Sequence, residues 1–175
     1  MVELAGKKFV VFIESLYNEH EFWYPKYRLL EAGATVVVAG TEAGKEYHSK
    51  VGLGAKSDVA FTGLNAEDFD GVVIPGGYAP DYMRRSEAAK AFVKDMNAKG
   101  KLVAYICHAG WLPISAGIVK GRKATSVAAI KDDMINAGVD WRDAPVVVDR
   151  NMITSRTPED LPEFMKAVIA FFTRQ

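Results

Sequence analysis

Apolar residues in this chain come in short unbroken runs rich in valine and isoleucine, set between longer stretches with helical spacing. KFVVFI (8–13), ATVVVA (34–39), GVVIP (71–75), KLVAYI (101–106) and VVVDRNMIT (146–154) predict strands. Consecutive rather than alternating apolar positions are what a strand carries when both its faces are covered, as in a parallel sheet between helices. EFWYPKYRLLEAG and SEAAKAFVKDMNAKG predict helices, each closing on a glycine suited to left-handed C-terminal backbone. The second places Ala88, Ala91, Phe92 and Met96 at helical spacing. Pro25 predicts that the first helix begins near it or is kinked there. TPEDLPEFMKAVIAFF closes the pattern as a helix, with Thr157 as its cap, Pro158 at the first helical position and Asp160 at the third.

Residues 41–62 depart from this rhythm, and their glycines and short alternations predict a hairpin inserted at a sheet edge. Strand–helix alternation elsewhere predicts βαβ units and a mainly parallel, helix-covered sheet. In such sheets ligands bind beyond the carboxyl ends of the strands. Three segments fall there: the loop after the first strand, the Gly76-Gly77 pair after VVIP, and Cys107 at the end of KLVAYI.

Composition narrows the function classes. The 175 residues suit a single domain, 1–175, large enough to bury a substantial core. Twenty-two basic and twenty-two acidic residues cancel, which gives no reason to expect nucleic acid or an anionic membrane as partner. No apolar run reaches the roughly 20 residues of a membrane span, and the N-terminal stretch lacks a signal-peptide pattern. One cysteine forbids an internal disulfide, which fits a reducing cytoplasm. His20, His48 and His108 are scattered and there is no cysteine pair, so a structural zinc site is not expected.

Cys107 has two readings. A buried apolar thiol is the common state of free cysteine. A strand running straight into a helix through a tight turn would instead expose it as a nucleophile, with the helix N-terminus lowering its pKa. His108 is either a general base or a residue at the helix start, and adjacent side chains on a tight turn tend to diverge. His20 and His48 read as solvated or structural. Gly76 and Gly77 form either a plain turn or a backbone site for an oxyanion. Glu14, Glu19 and Glu21 compete to be a carboxylate touching Cys107. One that did so would share a proton with the thiol.

Together the segments EFWYPKYRLLEAG, FDGVVIPGGYAPD, YICHAGWLPISAGIVKGRKATS, IKDDMINAGVDW and TSRTPEDL resemble the ThiJ/PfpI superfamily, in its PfpI-type intracellular protease/deglycase branch. The resemblance implies an α/β flavodoxin-like three-layer sandwich, like class I glutamine amidotransferases, with the cysteine on an elbow. It implies Cys107 as nucleophile, His108 as its neighbouring histidine, and Glu21, four residues before Pro25, as the acid bonded to the sulfur. Gly76, Gly77 and His108 match the oxyanion region. Asp81 stands where the family carries a glutamate that orients the histidine of a neighbouring subunit in a dimer or hexamer. Ala109 and Trp111 depart from the usual CHG elbow and are expected to shape the substrate pocket. The function implied is a cytoplasmic stress-protective enzyme acting on reactive carbonyls such as methylglyoxal or their protein adducts, with no metal or cofactor. The rivals are a cysteine peptidase or amidase at the same site, and a non-enzymatic redox-sensing chaperone.

Overall fold

The computed structural model describes residues 3–173. Its main sheet is built from β1 (Lys8–Phe12), β2 (Thr35–Gly40), β5 (Val59–Ala60), β6 (Gly71–Ile74), β7 (Leu102–Ile106), β10 (Val146–Asp149) and β11 (Met152–Ser155). The spatial order is β10-β11-β7-β6-β1-β2-β5, and every pairing is parallel except β10 with β11. The helices are α1 (Glu19–Glu31), α2 (Ala79–Met83), α3 (Glu87–Ala98), α4 (Trp111–Ser115), α5 (Lys131–Asn136) and α6 (Leu161–Thr173).

Both faces of the sheet are covered, which is why its strands read as unbroken apolar runs. Successive side chains of a strand point to opposite faces, and β1 shows each face in turn. The Phe9 ring meets Phe172 of α6 at 5.3 Å, whereas the Phe12 ring meets Phe92 of α3 at 5.9 Å. Around them α1 packs on α6, and α3 packs on α4. The mainly parallel, helix-covered sheet is what the run pattern predicts, and the whole is the flavodoxin-like sandwich that the resemblance implies.

Several local expectations need correction. VVVDRNMIT is two antiparallel strands rather than one, because Arg150 takes left-handed backbone (φ 55°) and turns the chain between β10 and β11. α1 does not begin near Pro25. The helix begins at Glu19, where the Asn18 side chain accepts from the His20 and Glu21 amides, and it continues through a buried Pro25. The buried stripe of α3 is Ala89, Phe92, Val93 and Met96, with Ala91 exposed. The final helix starts later than expected: Pro158–Asp160 form a 3-10 turn, the Thr157 side chain makes no capping bond, and α6 begins at Leu161. In residues 41–62 a hairpin does form, from β3 (Glu46–His48) and β4 (Gly54–Lys56), but it is a separate two-stranded sheet. It is β5 that extends the sheet edge. A third small sheet pairs β8 (Lys123–Ala124) with β9 (Asp140–Trp141). The two closing glycines behave as read, with Gly33 at φ 89° after α1 and Gly100 at φ 67° after α3. Among the described residues no helix is long and apolar enough to cross a membrane.

The topology has one consequence for function. β1, β6 and β7 are neighbours in the sheet and run parallel, so the loops after them emerge side by side at one edge.

Candidate active site

Those three loops carry Glu21, the Gly76-Gly77 pair and Cys107. Cys107 follows β7 at φ 63°, left-handed backbone that costs a non-glycine residue about 1–2 kcal/mol. It opens a 3-10 turn, Cys107–Gly110, that runs into α4. The turn leaves Cys107 buried, at 8% exposure. Gly110 lets the turn sit close to the next layer, since a Cβ there would fall 2.7 Å from Met134 Sδ.

Glu21 is fully buried, on the first turn of α1. Its Oε2 accepts the Gly76 N–H at 2.7 Å, while Oε1 is buried without a hydrogen-bond partner among the described residues. The neighbouring polar group is the Cys107 thiol. Gly76 fills the gap between them: a Cβ there would lie 2.6 Å from Glu21 Oε2, 2.9 Å from Cys107 Cβ and 3.0 Å from the His108 nitrogen. The Gly76 N–H is therefore committed to the carboxylate. The backbone N–H groups that face the sulfur are those of His108 and Gly77. Gly77 itself needs φ 73° and lies against the backbone of Leu16 and Asn18.

His108 does not diverge from its neighbour. Its Nδ1 stands 3.3 Å from Cys107 Sγ, a Cys–His contact made possible by the left-handed elbow. Glu14 is buried elsewhere, accepting from Ser15 and from the Thr41 hydroxyl, so it does not compete with Glu21. Glu19 pairs with the exposed His20, and His48 is exposed on β3. Asp81 pairs with Arg85 of its own chain. Ala109 packs wholly in the core, whereas Trp111 is half-buried beside the site.

The electrostatics correct one expectation. Burial pushes the Glu21 carboxyl up to about 7, against the pull of the Gly76 N–H. The Cys107 thiol is raised rather than depressed: burial, and then the Glu21 charge beside it, push it up to about 12. Two acids in contact lose their protons in two steps, so between these values the pair holds one proton and one negative charge. Burial, with the Lys50 charge, holds His108 below its ordinary value and keeps the ring neutral near pH 7.

Lys50 acts on both Glu21 and His108, and sequence reading missed it. Its position comes from long-range backbone pairing. Leu16 N–H donates to His48 at 2.8 Å, Lys50 N–H to Tyr17 at 3.0 Å, and the Tyr17 hydroxyl to the Leu53 carbonyl at 2.7 Å. The same loop is tied to the glycine pair, through Asn18 N–H to Gly76 at 3.2 Å and Tyr78 N–H to Leu16 at 2.9 Å. The β3–β4 hairpin thus forms one wall of the site.

A thiol on a strained elbow, an adjacent carboxyl and a neutral imidazole are the parts of a cysteine nucleophile. Residues 7–171 match the DJ-1/PfpI family. The chain belongs to that family. It is 46% identical over 153 residues to Deglycase PH1704 of Pyrococcus horikoshii, covering 87% of this chain and 92% of that protein. Over 159 residues it is 39% identical to YraA of Bacillus subtilis, named as a candidate cysteine protease, covering 91% and 94%. In structure it matches a two-domain protein of Anabaena variabilis with DJ-1/ThiJ/PfpI-like and ferritin-like domains, at TM-score 0.92 and 42% identity. That match takes in 94% of this chain but only 47% of the Anabaena chain. Relatives named for deglycase and cysteine protease activity support a hydrolytic enzyme of the PfpI type.

Proposed function

We propose that this protein is a cysteine-dependent enzyme of reactive carbonyls, acting on methylglyoxal or its adducts on protein side chains. The observation that carries the reading is the packing of Glu21 against Cys107: both are buried, and a Cβ at Gly76 would touch Glu21 Oε2 at 2.6 Å and Cys107 Cβ at 2.9 Å. When the proton lies on Glu21 the negative charge lies on sulfur, facing the backbone N–H groups of Gly77 and His108. The thiolate attacks the aldehyde carbon of methylglyoxal. A C–S bond forms, the carbonyl π electrons move to oxygen, and Glu21 supplies the proton that yields a hemithioacetal. Neutral His108 then removes the hydrogen from that carbon and delivers it to the adjacent one, while the hydroxyl proton passes from the first oxygen to the second through an enediol. The shift moves the oxidation level between the two carbons and leaves a lactoyl thioester. Water hydrolyses the thioester to lactate and restores the thiol. No outside oxidant or reductant enters.

A second reading rests on the same 3.3 Å contact between sulfur and imidazole, which would equally serve acyl transfer from a peptide. YraA's name supports keeping it. Asp81, held by Arg85, enters either scheme only in an assembly that carries it to the His108 of a second copy. The test compares methylglyoxal consumption with peptide hydrolysis for the wild type and Glu21→Ala. The carbonyl reading expects lactate from the wild type, a loss of roughly a hundredfold or more in the variant, and little peptide cleavage. Peptide cleavage without lactate would select the acyl-transfer reading.

A further inference from the structure

Trp111 and Asp133 form an arm that reaches His108 from outside the three catalytic loops. The Trp111 indole N–H donates to Asp133 Oδ2 of α5 at 2.9 Å. The indole meets the His108 ring at 5.3 Å and 61°, and meets Tyr78 edge-on at 6.5 Å. The Arg84 guanidinium lies over its other approach, 5.9 Å from the ring centroid. These contacts restrict the indole from several sides, and aromatic pairs at these distances are directional. We propose that Asp133 is a positioning residue: by fixing the Trp111 indole it holds the His108 imidazole against the Cys107 sulfur. The arm supplies from within the chain the orientation that a carboxylate of a second copy would otherwise provide. The closeness of α5 depends on Gly110, whose missing side chain leaves room for Met134, the residue after Asp133.

The proposal rests on the reading that His108 exchanges protons with the Cys107 site, and its test has a readout independent of turnover. His108 faces the thiol and the Lys50 charge, and burial holds its titration below the ordinary value. Freed from the indole it becomes better hydrated. NMR titration of labelled histidine in Asp133→Ala and Trp111→Phe should therefore move the His108 midpoint up toward the ordinary value near 6.5. Asp133→Asn, which keeps an acceptor oxygen, should hold it near the wild-type position. In the methylglyoxal assay Asp133→Ala should lower kcat roughly tenfold with little change in KM, and Asp133→Asn should recover most of that loss. A His108 midpoint unmoved in both disruptive variants would overturn the proposal, as would a kcat loss that Asp133→Asn fails to recover. If the wild type makes no lactate, the carbonyl reading fails, and the histidine titration still decides the arm.

Discussion

At the scale of single residues the site is defined by what cannot be changed around Glu21 and Cys107. Gly76 is the tightest point, because its neighbours are a buried carboxylate, the Cys107 Cβ and a backbone nitrogen. Gly76→Ala should cost roughly 1–3 kcal/mol, with loss of activity, measured by urea unfolding beside the lactate assay. Unchanged stability would mean that the three loops are looser than described. Glu21 makes the pH dependence specific. Its folded value of about 7 lies above its ordinary 4.5, so folding favours the protonated form. The stability it contributes is complete below about 4.5 and is lost as pH rises through about 7, a change of about 3 kcal/mol. Glu21→Gln has no such ionisation, so the stability of the wild type relative to it should fall by about that amount between pH 4.5 and 8. A difference independent of pH would contradict a buried carboxyl that ionises near neutrality. Residue identity told part of this. Cys107 was marked by being alone at a strand end, but three glutamates were equal by spacing until topology and helix phase put only Glu21 against Gly76.

At the scale of elements, the apolar runs announced β1, β2, β6 and β7 because burial on both faces leaves a period-free signature. Where one residue's backbone decides, the pattern was silent. Arg150 splits the last run into two strands through a left-handed turn that valine spacing does not reveal. The start of α1 was likewise hidden behind Pro25, although Asn18 was in plain view as a capping residue. That cap holds the helix that carries Glu21, and it accepts the Glu21 amide itself at 3.3 Å. Asn18→Ala should cost about 1 kcal/mol, read as a fall of about 2–4 °C in Tm. An unchanged Tm would show that α1 is held by its packing on the sheet and on α6 without help from the cap.

At the scale of the whole molecule the strand order makes the site. Neighbouring parallel strands β1, β6 and β7 bring together residues at 21, 76 and 107 that share no local pattern. The alternation of strands and helices made that arrangement readable in outline. What sequence could not supply is the long-range stitching by Tyr17, Lys50 and Leu53 and the approach of Asp133, since each depends on loops meeting in space. It also missed the sense of the thiol's shift: helix-start reasoning lowers it, whereas burial and the adjoining carboxylate raise it. The central claim is that Cys107 is the nucleophile of carbonyl turnover, and one measurement bears on it most directly. Lactate formation from methylglyoxal is compared between the wild type and Cys107→Ser. The account predicts that the variant falls to the uncatalysed rate, and lactate formed at the wild-type rate would contradict it.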